Sequence, residues 1–179
     1  MVKCNMFLPI VFLVIVSCGL LGCASPAQKD AMLIQDIPVI QQHQKTVTVK
    51  TQGGSETGAM DSSNISNSDF AKAIEESIIE NGLFTQVIHD NGSDYVLNVT
   101  IVHISKPLFG GSFTVDMEAA WSLLDSTTKN VIMRESIRSS HTATMGQAFA
   151  GVTRLRLAVE GAARYNIKQG LMAISKLKL

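Results

Sequence analysis

The sequence predicts an α+β domain, a two-layer sandwich in which an antiparallel sheet of about four to five strands carries two helices on one face. Residues 94–105 and 112–125 alternate apolar and polar side chains, which is typical of strands with one buried and one solvated face. Residues 70–80 and 152–177 repeat apolar side chains at helical spacing. The predicted order is one strand, one helix, four strands and a last helix, and this order favours helices gathered on one sheet face.

Length and charge exclude several classes of protein. The chain has 179 residues, which suits one compact domain with additional segments and not two full domains. Its 15 basic and 15 acidic residues give a formal net charge of zero. This balance argues against a strongly basic nucleic-acid-binding protein and against a highly charged disordered chain. We therefore expect no nucleic-acid partner.

The first 22 residues have the pattern of a secretory signal peptide. Lys3 is followed by an uncharged apolar run at residues 6–16, and smaller residues fill positions 17–23. A membrane-spanning helix needs about 20 apolar residues, and here the small residues interrupt the run before that length. We therefore expect residues 1–22 to be removed.

The end of this segment, Leu20-Leu21-Gly22-Cys23, resembles the lipobox of bacterial lipoproteins. In that family the signal is cut before the cysteine, here between Gly22 and Cys23, and the thiol then carries a diacylglycerol. A third acyl chain usually joins the new amino group. Two or three acyl chains, at about 0.8 kcal/mol per buried CH2, anchor a protein stably. The resemblance therefore implies that Cys23 is lipidated and ties the protein to a membrane.

Cysteine usage and the residue after Cys23 refine this prediction. Cys4 and Cys18 lie in the segment that is removed, so the mature chain keeps a single cysteine and has no internal disulfide. In lipoproteins of enteric-type bacteria, aspartate after the lipidated cysteine tends to retain the protein in the inner membrane. Ala24 stands there in this chain, so the resemblance implies the outer membrane, with the anchor facing the periplasm.

Residues 23–45 are interpreted as the lipidated cysteine and a tether, because they contain two prolines and a glutamine-rich stretch. Apolar residues at 32–34 and 39–40 leave open that part of this segment packs on the domain. The periplasmic α+β domain is predicted to span residues 46–179.

The first half of that domain is marked by turn and cap residues. A β-branched strand at 46–50 precedes a loop at 51–64 rich in Gly, Ser and Thr. Short polar side chains at 66–69 are suited to cap a helix start. Asn81-Gly82 supplies the helix stop, and a short strand follows at 83–88.

The second half is less regular. A third long strand is predicted at 131–144, where Glu135 falls on the nominally buried side without any explanation from the sequence. The helix at 152–177 should cover the sheet. Gly161 and Gly170 argue against an unbroken helix, because each glycine costs about 1 kcal/mol relative to alanine.

No arrangement of catalytic or metal-binding residues is recognisable in the sequence. The four histidines have no zinc-binding spacing; they are His43, His89, His103 and His141. No Gly-x-Ser-x-Gly motif is present, and the glycine pairs lack the Lys-Ser/Thr of a phosphate loop. Asp116 and Glu118 fit the solvated side of a strand. The sequence therefore predicts no enzyme, no metal and no cofactor.

Two large apolar residues, Leu108 and Phe109, stand at the predicted hairpin tip 105–111, beside a proline and two glycines. Loop tips are usually polar, and exposed apolar groups there often contact something. Leu108 and Phe109 are therefore a candidate contact with a partner or a membrane. The alternative is that both fold back over the end of the sheet. The loop at 145–151 is assigned to packing.

The mature domain resembles a group of small α+β envelope lipoproteins. The resemblance lies in residues 70–87 and in the alternating run 93–101. The group includes the YajG-like lipoproteins, the auxiliary lipoproteins of envelope ABC-type transport systems and, more distantly, the lipopolysaccharide-assembly lipoprotein. The closing stretch 146–167 is most similar to the YajG-like members. The resemblance covers about residues 66–175 and implies a non-enzymatic periplasmic domain with no catalytic residues to assign.

Three functions are compatible with these features. The first is an accessory or assembly factor that binds another envelope protein or its own copies. The second is a periplasmic carrier or sensor of lipid or glycan, which would use an apolar cavity between helix and sheet. The third, least supported, is an enzyme acting on envelope polysaccharide or cell wall.

Overall fold

A computed structural model of the protein describes residues 24–58 and 62–179. The predicted signal peptide, its cleavage site at Gly22 and the lipidated Cys23 all lie outside the described residues. Within the described ranges, no helix combines the length and the apolar character that a membrane crossing requires.

The described chain forms one five-stranded sheet with helices packed on one face. The elements in chain order are α1 (Lys29–Met32), β1 (His43–Gln52), α2 (Asn67–Glu80), β2 (Phe84–Val87), β3 (Tyr95–Ser105), β4 (Phe113–Asp125), β5 (Val131–Ala143) and α3 (Gly151–Ile174). The strand order across the sheet is β2-β1-β3-β4-β5. Helices α2 and α3 contact each other as well as the sheet, so they share one face. The predicted two-layer α+β fold is confirmed.

The sheet is mixed, which corrects the expectation of an antiparallel sheet. Strand β1 runs parallel to both of its neighbours, with Val47 opposite Val87 on one side and Tyr95 on the other. Strands β3, β4 and β5 are antiparallel. A parallel pair requires a crossover connection, and α2 supplies it between β1 and β2. Alternation along a strand reports its buried face and not its direction, so the sequence pattern did not reveal this.

The segment predicted as a tether packs on the helical layer. Ala27, Met32 and Ile37 are buried. The Ile34 N–H donates to Ser77 Oγ at 3.0 Å, and the Ile37 N–H donates to the Asn81 side-chain oxygen at 2.9 Å. Strand β1 also begins at His43, inside the predicted tether. The apolar residues of this segment therefore belong to the domain core.

Helix α2 begins and ends where its cap residues predict. The Ser66 hydroxyl accepts a hydrogen bond from the Asp69 N–H at 3.0 Å and donates one to the Asp69 carboxylate at 2.9 Å. The helix ends at Glu80, and Asn81 caps it before Gly82, whose φ is 59°. The apolar face of α2, including Phe70, Ile74 and Ile78, is fully buried.

Helix α3 runs unbroken through both glycines that argued against it. A methyl group at Gly161 would overlap the His141 ring, and one at Gly170 would lie 2.6 Å from the Trp121 ring. Both positions therefore need glycine because the helix lies directly on the sheet. This contact outweighs the low helix propensity of glycine.

Buried polar groups join α3 to the sheet beneath it. The Trp121 indole N–H donates to the Asn166 side-chain oxygen at 2.9 Å. The Asn166 amide donates to the Ile137 carbonyl at 2.9 Å, and the Ser139 hydroxyl donates to the Ala162 carbonyl at 2.8 Å. Such satisfied networks fix one register of helix on sheet. Glu135, which the alternation placed on this side, is exposed on the edge strand.

Candidate functional site

Two loops meet at the end of the sheet where β3 and β5 finish. The β3–β4 loop spans residues 106–112, and the β5–α3 loop spans residues 144–150. A side chain at Gly111 would touch the Met145 sulfur, so the loops lie side by side. We call the exposed apolar residues of this end the apolar tip, which comprises Leu108, Phe109, Met145, Phe149 and Val152.

The two residues singled out from the sequence are almost fully exposed. Leu108 is 83% exposed and Phe109 is 89% exposed. The alternative in which both fold back over the end of the sheet therefore does not describe this structure. Large apolar side chains are rarely displayed in this way without a contact to make.

The second half of the tip was not predicted from the sequence. Phe149 is 87% exposed, although its loop was assigned to packing. Met145 and Val152 are also exposed. The available signal was a single Phe among small residues directly before a helix. The sequence alone does not show whether such a Phe is exposed or belongs to the core. The structure places Phe149 on the neighbouring loop, where its carbonyl and that of Gly110 bind the same Arg154 guanidinium.

A buried arginine holds the two loops together. Arg154 is 6% exposed, and its guanidinium donates to the carbonyls of Ala148 at 2.9 Å, Phe149 at 2.8 Å and Gly110 at 3.2 Å. The same group lies 5.0 Å from the centre of the Phe113 ring, within cation–π range. Because arginine stays charged, these are charge-assisted bonds and stronger than neutral ones. Arg154 therefore fixes the backbone of both tip loops.

The start of the described chain lies at this same end of the molecule. The Ala27 N–H donates to the Asn64 carbonyl at 3.0 Å. The Lys106 ammonium, at the base of the β3–β4 loop, donates to the Asn64 side chain and to the Ser63 carbonyl at 3.1 Å. Ala27 is thus connected to the tip loop through one residue. Cys23 lies only four residues before it in the sequence.

The sheet face opposite the helices carries a charged groove. A shallow depression of about 390 Å³ is lined by residues that include His103, Asp116, Glu118, Arg138 and Ser140. Glu118 accepts hydrogen bonds from the Ser136 hydroxyl at 2.6 Å and from Arg138 Nε at 3.0 Å. These bonds, the one from Ser136 most of all, lower the pKa of Glu118 below its ordinary value. Glu118 is thus a paired carboxylate on a solvated strand, as its position in the alternation indicates.

The histidines are dispersed over the fold. His43 is buried and its Nε2 lies 3.0 Å from the Ile174 carbonyl; His141 lies under Gly161. His89 lies 3.5 Å from Glu75 on the surface, and His103 lines the charged groove. Among residues 24–58 and 62–179, no three His, Cys, Asp or Glu side chains group as metal ligands would.

The helix–sheet interface gives no support to the lipid-carrier alternative. That function needs an apolar cavity between the two layers. Where α3 crosses the sheet, glycine backbone lies directly on the rings of His141 and Trp121. The depression described above lies on the sheet face opposite the helices.

The fold is similar to that of several solved bacterial proteins. A protein of family model DUF330 from Xanthomonas campestris has 11% identity and a TM-score of 0.56, with 85% of this chain and 91% of that chain covered. Hypothetical protein CT253 from Chlamydia trachomatis has 8% identity, a TM-score of 0.55, and coverage of 74% and 96%. Uncharacterized lipoprotein B from Nitrosomonas europaea has 15% identity, a TM-score of 0.51, and coverage of 76% and 86%.

No family model matches the sequence, and no curated protein matches it. At these identities the solved structures establish the fold alone. The chain therefore has a fold that occurs in bacterial lipoproteins, and the likeness to the YajG-like group stays an expectation from the sequence.

Proposed function

We propose that this protein is a lipid-anchored, non-enzymatic accessory or assembly factor of the bacterial envelope that binds another envelope protein close to the membrane. One observation carries the proposal: the chain is packed from Ala27 onward, at the end of the domain that bears the apolar tip. Only three residues separate Ala27 from Cys23, and the four Cα–Cα steps between the two span at most about 14 Å. A lipid on Cys23 therefore holds this end of the domain at the membrane surface.

The lipobox-like end of the signal and the lipoprotein-type fold support the anchor. Ala24 favours the outer membrane, and the resemblance to YajG-like lipoproteins favours the accessory role.

The anchor is tested by mass measurement of the N-terminal peptide. The mature wild-type chain should begin at Cys23 and carry added acyl mass. Cys23→Ser should abolish acylation and leave an uncleaved precursor. Cys18→Ser is the matched control, because that cysteine leaves with the signal and its replacement should change neither processing nor acylation. An unmodified Cys23 in the mature protein contradicts the anchor.

The partner surface is assigned to the sheet face opposite the helices, which the described residues leave open and which holds the charged groove. A photocrosslinking residue at exposed His103 or Ser140 should capture one defined envelope protein in intact cells. Glu80, exposed on the helical layer, provides the control position. Capture of a second copy of this chain would indicate self-assembly. An absence of adducts from both groove positions contradicts the accessory role.

A further inference from the structure

The apolar tip is a rigid group of exposed side chains, and the charged residue of its loops, Lys106, lies at their base and is bonded to Ser63 and Asn64. Residues 107–112 and 144–151 contain no Asp, Glu, Lys or Arg. Leu108, Phe109 and Phe149 are each more than four-fifths exposed. Arg154 fixes both loops through hydrogen bonds to three carbonyl groups. The loops therefore lose little conformational entropy when the tip contacts a surface.

The opposite end of the sheet differs sharply in charge. Asp90 and Asp94 lie there after β2, and Asp125 ends β4. Lys45 pairs with Asp94 at 3.8 Å, and Lys129 lies in the β4–β5 turn. Hydrogen bonds keep the pKa of Asp94 and of Asp125 below the ordinary value. Residues 107–112 and 144–151 at one end of the molecule are therefore uncharged, and the other end carries charges of both signs. The apolar interior of a bilayer accepts uncharged apolar side chains, and burying the charged groups of the opposite end there would be costly.

We propose that the apolar tip inserts into the surface of the lipid bilayer to which Cys23 is attached. This inference rests on the proposed lipid anchor. Two facts select lipid over a protein as the occupant. The chain leaves the domain beside the tip, through Ala27, Asn64 and Lys106, and only three residues lie between Ala27 and the acylated cysteine. The acyl chains and the tip then enter one leaflet side by side, as interfacial apolar side chains do.

Insertion fixes how the domain stands on the membrane. The strands run away from the bilayer, the charged turns at the opposite end face the aqueous space, and the charged groove opens to the side. Exposed Glu56 follows β1 at the same end of the molecule, and its carbonyl accepts a hydrogen bond from Asn64, the residue that binds Lys106.

The test uses the full-length chain, processed in cells and reconstituted into vesicles of phosphatidylethanolamine and phosphatidylglycerol. Once Cys4 and Cys18 are removed and Cys23 is acylated, an introduced cysteine is the sole free thiol. Phe109→Cys and Phe149→Cys are labelled with an environment-sensitive fluorophore, and Thr127→Cys in the β4–β5 turn is the control. Emission should shift to shorter wavelength and be quenched by brominated lipid at positions 109 and 149, and should do neither at 127.

A second variant separates insertion from folding. Leu108→Ser with Phe109→Ser should leave the melting temperature nearly unchanged, because both side chains are exposed, while the label at 149 returns to water-like emission. A clear fall in melting temperature would show that these side chains support the core and would overturn the inference.

Water-like emission at 109 and 149 in acylated, vesicle-bound protein overturns the inference and leaves the anchor intact. A shift that requires an added envelope protein also overturns it, and assigns the tip to that protein. An unacylated Cys23 contradicts the proposed function alone. In that case the labelled protein is added to the same vesicles without an anchor. A blue shift then supports contact of the tip with lipid, and the absence of a shift overturns the inference.

Discussion

Arg154 is the residue on which the shape of the tip depends. Its guanidinium is buried and bonded to carbonyls of both tip loops. Arg154→Ala should lower the free energy of unfolding by about 2–3 kcal/mol, because hydrogen bonds to a charged group contribute about 1.5–3 kcal/mol. Urea denaturation measures this loss.

Arg138→Ala is the matched control for that change. Its side chain is 81% exposed in an ion pair with Glu118, and exposed pairs contribute about 0–1 kcal/mol. Equal losses for the two variants would show that Arg154 has no special role.

Glu160, which binds the backbone of Gln28 near the start of the described chain, makes the free energy of unfolding depend on pH. Burial raises its pKa above the ordinary value of 4.5, opposed by the Gln28 N–H, Arg156 and Arg164. A raised carboxyl pKa means that the folded state binds the proton more tightly than the unfolded state. Ionised Glu160 therefore opposes folding at neutral pH, and this opposition fades as the pH falls through the raised pKa toward 4.5.

We expect the free energy of unfolding of the wild type to rise relative to Glu160→Gln as the pH is lowered from 7 to about 5. The amide keeps an oxygen for the Gln28 N–H, which donates to Glu160 at 3.0 Å, and it does not titrate. Chemical denaturation of both proteins at several pH values measures the difference. A constant difference over that range would contradict the assignment.

The exposure of single residues was harder to predict from the sequence than the helices and strands. Leu108 and Phe109 are exposed, and the contact predicted for them stays a prediction. Phe149 was missed because one aromatic residue among small ones has no period. The exposure of Phe149 depends on the conformation of its loop, which Arg154 fixes through the Phe149 carbonyl.

Among the elements, α3 carries the strongest steric constraint. Gly170→Ala should destabilise the protein by about 1–3 kcal/mol through overpacking on Trp121, although alanine favours a helix by about 1 kcal/mol. Gly151→Ala is the control in the same helix, because its added methyl would meet the nearest atoms at 3.8 Å, an ordinary contact. Thermal melts compare the two; a stabilised Gly170→Ala would contradict the close approach of helix and sheet.

The long strands and α2 were predictable because side-chain alternation and cap residues are local signals. Strand partners are not local, so the parallel position of β1 was missed. A second miss is the irregularity in β3 between Ile101 and His103. There the apolar positions shift from odd to even, and Ile104 pairs with Met117. The sequence carries that shift, which is the usual mark of a bulge.

For the molecule as a whole, residues 24–42 belong to the folded unit. A chain that begins at Ala24 should unfold cooperatively and be unaffected by a reductant or a chelator. A chain that begins at His43 loses Met32 and Ile37 and should be less stable by about 3–6 kcal/mol, because burial of each such side chain contributes about 1.5–3 kcal/mol. Equal stability of the two chains would restore the tether interpretation.

This packed segment also determines how the protein would respond to mechanical load. A pull between an anchored Cys23 and a partner on the sheet enters the domain at Ala27 and Gln28, whose hydrogen bonds to Asn64 and Glu160 resist it first. If they yield, residues 24–42 peel from the helices while the strand ladders remain unstressed. Roughly 60 Å of extended chain would then be released, so the domain could travel away from its membrane without unfolding its sheet.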